Sequence, residues 1–223
     1  MGLLDYSWSY ECTNCNSMTI STGCSASLVA MDTACKALAN GDCELAVVGG
    51  TNLTLSPGLS CILAAEGVNS PDGRCHSFDA NASGYGRAEA VSSLVIKRLD
   101  FALRDDNPIR GVIRSSLCNA DGKTPGITQP NPEAHEALIR AAYAAAGIPE
   151  EKYSQTAFFE CHGTGTIIGD PIETSAVARV FGRDGMIIGS VSRLLPRHGN
   201  VKLTDSRSNP ILVILKPRVV TPR

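Results

Sequence analysis

Apolar and polar positions alternate along this chain with two periods, one helical and one strand-like. From residue 26 to Leu38 small and apolar residues dominate, and the run stops at Asn40-Gly41. A run of that length closing on Asn-Gly predicts a helix with a C-terminal glycine cap. Residues 18–21 form a short extended approach to it, and residues 44–50 are an apolar run of the kind buried parallel strands carry. Residues 51–77 mix Gly, Pro, Ser and Asn around the turn signals Pro57-Gly58 and Pro71-Asp72-Gly73, which predicts an irregular excursion over the surface. A strand at 92–96, a short helix at 100–104 and a half-buried strand at 109–116 follow. Pro132 opens an amphipathic helix, with Ala137, Leu138, Ala141, Ala142 and Ala145 on related faces, that ends at Gly147. Strands are expected at 156–160 and 186–191. Between them, Asp170-Pro171-Ile172-Glu173 predicts a helix start with Asp170 as N-cap and Glu173 closing a capping box. Residues 1–17 carry no clear period. The alternation from residue 18 to 192 predicts an α/β layered domain with a largely parallel sheet.

Composition narrows the function classes. The 223 residues are 43% hydrophobic and 19% charged, enough for a packed core. The net charge is −2 and the Lys and Arg residues are scattered, which argues against nucleic acid or an anionic membrane as partner. No apolar run approaches the roughly 20 residues of a membrane helix. The first residues lack a basic segment followed by an apolar core, so no secretory signal is read and a cytoplasmic location is expected. Nine cysteines, an odd number, fit a reducing compartment; Cys35, Cys61, Cys118 and Cys161 are expected in core or loop settings. Cys12 and Cys15 form one C-x-x-C pair with no second pair or nearby histidine, so no metal site is expected. His135, beside Glu133 and Glu136, is expected to be a solvated surface histidine.

Two stretches carry candidate chemistry. Cys24 stands where an extended approach turns into a helix. The positive end of the macrodipole and unpaired backbone N–H groups there favour thiolate, the nucleophilic form. Cys35 lies about three turns further in, beyond help from either, and is expected in the core. His162 falls just past the strand at 156–160, where catalytic groups gather in open α/β sheets, and Thr164 and Thr166 place hydroxyls on the same turn. Asp170 and Glu173 are expected to act structurally, as caps. Gly84 and Gly86 make no dinucleotide fingerprint, because a strand rather than a helix follows them.

These residues call for a family. Thr22-Gly23-Cys24-Ser25-Ala26-Ser27 resembles the nucleophile motif of β-ketoacyl synthases, and Gly84-Tyr85-Gly86-Arg87-Ala88-Glu89 resembles their G-Y-x-R-G-E loop. His162-Gly163-Thr164-Gly165-Thr166 followed by Gly169-Asp170-Pro171-Ile172-Glu173 is similar to their H-G-T-G-T-x-x-G-D-P-x-E motif. Residues 121–127 look like the ketosynthase domains of fungal-type iterative modular polyketide synthases. The resemblance implies a partial thiolase-like fold, with helices on mainly parallel or mixed sheets, over residues 17–192. It leaves 1–16 and 193–223 unmatched and implies truncation at both ends. The family continues after residue 191 as K-x-N-x-G-H. Here Ser192 stands for the lysine and Arg197 for the second catalytic histidine, with His198 one place late.

What the resemblance implies is a ketosynthase-type acyltransferase. Cys24 would take an acyl chain from the phosphopantetheine of an acyl carrier protein. A malonyl extender would lose carbon dioxide, and its enolate would attack the Cys24 thioester in a decarboxylative Claisen condensation of polyketide or fatty-acid biosynthesis. His162 would stabilise the developing charge, and Thr164 and Thr166 would bind the pantetheine arm. No dissociable cofactor or metal is implied; a homodimer is. With the second histidine replaced, the isolated polypeptide is expected to fold poorly or be inactive. Two other functions fit the same residues: an inactive fragment that retains acyl or partner binding, and a Cys/His thioester hydrolase.

Overall fold

The computed structural model describes residues 17–126, 128–182 and 185–190, together with the backbone of 6–9 and 211–215. One sheet has the order β2-β1-β3-β4, built from β1 (Tyr6–Ser9), β2 (Met18–Ile20), β3 (Leu45–Asn52) and β4 (Ala90–Lys97). All its pairings are antiparallel, β3 against β4 running from Leu45↔Lys97 to Asn52↔Ala90. The parallel strand expected at 44–50 is therefore corrected. An apolar run records burial, not direction. Here Ala46, Val48 and Gly50 point to the covered face and alternate with half-buried neighbours.

Helix α1 (Ala26–Asn40) covers that face. Ala26, Ala30 and Ala34 are fully buried four residues apart, which lets the helix lie close to the sheet, while Met31 and Leu38 fill the space beside Ala46 and Val48. Gly41 ends the helix at φ +80°, as the Asn-Gly signal requires. Asp32, buried on the same helix, accepts hydrogen bonds from Lys36 Nζ (2.7 Å) and Ser116 Oγ (2.8 Å), so it ties α1 to β5 (Val112–Leu117). Cys35 is half-buried and packs against this core. The opposite face of the sheet is open: Val91 and Val95 of β4 are 74% and 67% exposed.

A second core forms where α4 (Pro132–Ala145) and α5 (Gly169–Phe181) pack beside β6 (Phe159–Glu160) and β7 (Ile188–Gly189). These two short strands pair in parallel, Phe159↔Ile188 and Glu160↔Gly189. Asn131 caps α4, its side-chain oxygen accepting from the N–H groups of Glu133 (3.0 Å) and Ala134 (3.2 Å). Tyr143, Tyr153 and Phe181 meet edge-on or tilted with centroids 4.6 to 5.7 Å apart. β8 (Ile211–Leu215) pairs antiparallel with β5, so part of the segment beyond 193 supplies a strand.

The remaining differences from the sequence reading lie between elements. The excursion at 51–77 contains a helix, α2 (Gly58–Ala65), none of whose residues is buried. The same excursion ends inside the molecule at the buried Ser70 and Ser77. Cys61 is exposed on α2 rather than set in core or loop. His135 is not solvated: its side chain is 14% exposed, with Nε2 at 3.9 Å from Asp121. The first turn of α4 packs it against the 119–131 loop, which Asn131 fastens by donating to the Asp121 carbonyl (2.9 Å). Cys12 and Cys15 lie outside the described residues, as do Ser192, Arg197 and His198.

Candidate active site

Cys24 sits in a single 3-10 turn, Gly23–Ser25, that runs directly into α1. Gly23 takes φ +66°, which turns the extended approach of β2 into the helix. Ser25 stitches the turn by donating to the Thr22 carbonyl at 2.9 Å, and its hydroxyl lies 2.8 Å from that of Thr22. Ser25, Ala26 and Ser27 are buried, while Cys24 is exposed at the head of the helix. Other thiols are held back from reactivity. Burial, reinforced by Asp32, pushes Cys118 up to about 12. Burial also raises Cys35, and it raises Cys161, where the Glu173, Glu160 and Asp170 carboxylates add to the effect.

His162 follows β6 on a turn whose backbone is held almost entirely by side chains. Glu173 accepts from both N–H groups, His162 N at 2.6 Å and Gly163 N at 2.9 Å. Ser190 donates to the carbonyls of His162 (3.2 Å) and Gly163 (3.3 Å), and Ser77 donates to Gly163 as well. Asp170 accepts from Gly165 N (3.1 Å) and from Phe78 N (2.7 Å). Carboxylates accepting backbone N–H groups make strong, directional bonds, so the turn is preorganised. His162 is half-buried at its edge.

This arrangement corrects the cap assignment. α5 begins at Gly169 with Ile168 as its N-cap, and Asp170 lies inside the first turn with its carboxylate turned back to the loops. Capping falls instead to Thr166, whose Oγ1 accepts from Gly169 N at 3.1 Å. The backbone that Asp170 and Glu173 satisfy belongs to the His162 turn and to Phe78. The reason is competition: the N–H groups of the turn have no secondary-structure partner, and a carboxylate satisfies two at once.

Thr164 and Thr166 lie 2.9 Å apart, hydroxyl to hydroxyl. One hydroxyl of the pair donates to the other. His162, Thr164 and Thr166 thus share one turn, and Cys24 is carried separately on the 3-10 turn that leads into α1. Sequence reasoning missed Ser77, Phe78 and Ser190. A serine before an aromatic residue carries no periodic signal, and nothing local announces that Phe78 adopts φ +62°. Among the described residues no group of three or more His, Cys, Asp or Glu is placed to hold a metal ion.

Comparison with known proteins supplies the lineage. The family model for the β-ketoacyl synthase N-terminal domain matches residues 13–102, and that for the C-terminal domain matches 110–196. The highly reducing polyketide synthase sphB of Aspergillus fumigatus is 50% identical over 208 residues, covering 92% of this chain and 8% of that protein. The highly reducing polyketide synthase VdtX of Byssochlamys spectabilis is 55% identical over 175 residues, 78% of this chain and 8% of its own length. This chain therefore spans under a tenth of either relative. Among solved structures, the ketosynthase from module 6 of the Bacillus subtilis 168 bacillaene synthase superposes with a TM-score of 0.74 at 40% identity, over 78% of this chain and 32% of that one. The oxazolomycin ketosynthase domain OzmH KS7 of Streptomyces albus JA3453 gives 0.73 at 38%, over 78% and 30%. Motifs, fold and sequence agree: the chain belongs to the β-ketoacyl synthase family and carries parts of both its N-terminal and its C-terminal domain.

Proposed function

We propose that Cys24 and His162 are the nucleophile and the charge-stabilising imidazole of a decarboxylative condensation. The observation that carries this reading is the His162 turn. Both N–H groups and both carbonyls of His162-Gly163 are committed to side chains, so the imidazole is presented from a frame that need not reorganise. Cys24 attacks the acyl thioester of a carrier-bound phosphopantetheine, and the pantetheine sulfur leaves and takes up a proton. The hydroxyls of the Thr164–Thr166 pair are suited to hydrogen-bonding the pantetheine arm. A malonyl thioester then loses carbon dioxide, leaving the electron pair of the broken C–C bond as an enolate whose oxygen His162 stabilises. The enolate carbon attacks the Cys24 thioester carbonyl, and Cys24 departs as thiolate.

An acyl carrier protein is the partner this chemistry requires, and a reducing cytoplasm suits a nucleophile that must remain a thiol. The second histidine of the family pattern falls where Arg197 and His198 stand. Loss of one charge-stabilising donor costs on the order of 10²–10³ in rate, so acylation of Cys24 should outlast condensation. The cysteine-directed inhibitor cerulenin tests the site. An adduct on Cys24, absent in Cys24→Ser and formed about tenfold faster than on Cys61, which is also exposed, is expected; equal labelling of the two thiols would remove the nucleophile assignment.

A second reading is favoured by the open face of β4 and the unburied α2. In it the chain binds acyl groups, or pairs through that face with another ketosynthase surface, without turning over alone.

A further inference from the structure

The segment from Ser70 to Gly86 has no part in the proposed chemistry, yet it reaches the His162 turn directly at two places and, through Asp170, at a third. Ser77, fully buried, donates from Oγ to the Gly163 carbonyl. Phe78 N donates to Asp170 Oδ2 at 2.7 Å. Gly84 N donates to the Gly165 carbonyl at 2.8 Å. The first two contacts come from adjacent residues, and Phe78 adopts φ +62°, a left-handed backbone rare for a bulky side chain. Ser77 thus reaches the Gly163 carbonyl while Phe78 N reaches Asp170, whose other carboxylate oxygen accepts from Gly165 N of the same turn. The Phe78 ring abuts it too: a Cβ placed on Gly163 would meet Phe78 Cζ at 3.1 Å.

Ser77 and Gly163 belong to different halves of the molecule. The N-terminal domain model, which includes Cys24, ends at residue 102, and the C-terminal model, which includes His162, begins at 110. Glu173 and Ser190 hold the turn from within its own half. Ser77 and Phe78 are grips from the half that carries the nucleophile.

We propose that Ser77 is a positioning residue that sets the His162 turn relative to the Cys24-bearing half, acting through the Gly163 carbonyl, with the neighbouring Phe78 N–H bound to Asp170 beside it. That His162 is the imidazole to be positioned rests on the condensing-enzyme reading. The contact itself does not.

The test uses the full 223-residue chain. Amide exchange is followed at His162, Gly163 and Gly165, with Ala142 of α4 and Ala34 of α1 as controls, and the His162 ring resonances are recorded. Ser77→Ala, and Ser77→Cys, which keeps the volume but donates weakly, should speed exchange at the three turn amides roughly five- to tenfold. They should also broaden or split the His162 ring signals and leave the two controls unchanged. Ser77→Thr, which keeps the hydroxyl, should restore the parent pattern. The proposal is overturned if the turn amides do not respond, if Ser77→Thr behaves as Ser77→Ala does, or if exchange rises equally at the controls, which would mark Ser77 as general packing. Cerulenin labelling run alongside separates the two claims. A turn-specific response with Cys24 unlabelled defeats the condensation reading and leaves Ser77 in place; a labelled Cys24 with no turn-specific response does the reverse.

Discussion

Gly163 and Gly147 both adopt left-handed backbone, at φ +48° and +67°, yet substitution at the two should cost very different amounts. A Cβ at Gly147, beyond the end of α4, meets nothing within 4 Å, so Gly147→Ala carries only the backbone penalty of about 1 kcal/mol. At Gly163 the added carbon would fall 2.4 Å from Ser190 Cβ and 2.8 Å from its Oγ, the hydroxyl that holds both carbonyls of the turn. Ser190 cannot retreat without releasing them. Gly163→Ala should therefore cost about 3 kcal/mol or more in urea unfolding of the full chain, well above Gly147→Ala. Equal losses at the two sites would mean that the turn yields easily.

Among the elements, the irregular segment 70–86 is built as firmly as a helix end. Asp72 gathers it: its Oδ1 accepts from Ser70 Oγ (2.5 Å) and Arg74 N (3.0 Å), and its Oδ2 lies 2.9 Å from His76 Nε2. The Ser70 hydroxyl foremost, then His76 and the Arg74 N–H, hold the Asp72 carboxyl well below the usual carboxylate range. A carboxyl lowered in the folded state stabilises it fully above its unfolded value of about 4, and that contribution is lost as the pH falls through the lower folded value. The Arg74 and Gly73 amide resonances should accordingly shift with a midpoint below about pH 4, and Asp72→Asn should abolish the transition. A midpoint at or above that value would mean the three contacts do not hold the carboxylate in solution.

At the scale of the whole molecule, the described residues cover the sheet of β1 to β4 on one side only. α1 buries Ala46 and Val48, while Val91 and Val95, at 74% and 67% exposure, lie on the other face of an edge strand. Apolar side chains on an uncovered edge favour association. The chain should sediment as a self-associated species, and the double substitution Val91→Lys with Val95→Lys should shift it toward monomer. Identical sedimentation of the two proteins would assign that face no role in assembly. Among the described residues no helix is long and apolar enough to cross a membrane.

How much of this was legible beforehand follows from the range of each interaction. Short-range signals were readable: the glycines that end α1 at Gly41 and α4 near Gly147, the amphipathic run after Pro132, and the placement of Cys24 before a helix and His162 after a strand. Each depends on residues within a turn or two of one another, so the local order of the chain determines it. Strand direction, the open face and the burial of Ser77 depend on which distant segment arrives alongside, and the tertiary structure alone decided them. Asp170 shows the boundary most plainly. By its neighbours it is an N-cap; in the fold its carboxylate serves Phe78, 92 positions away, because an unpaired buried N–H there outweighs one at a helix end where Thr166 can substitute.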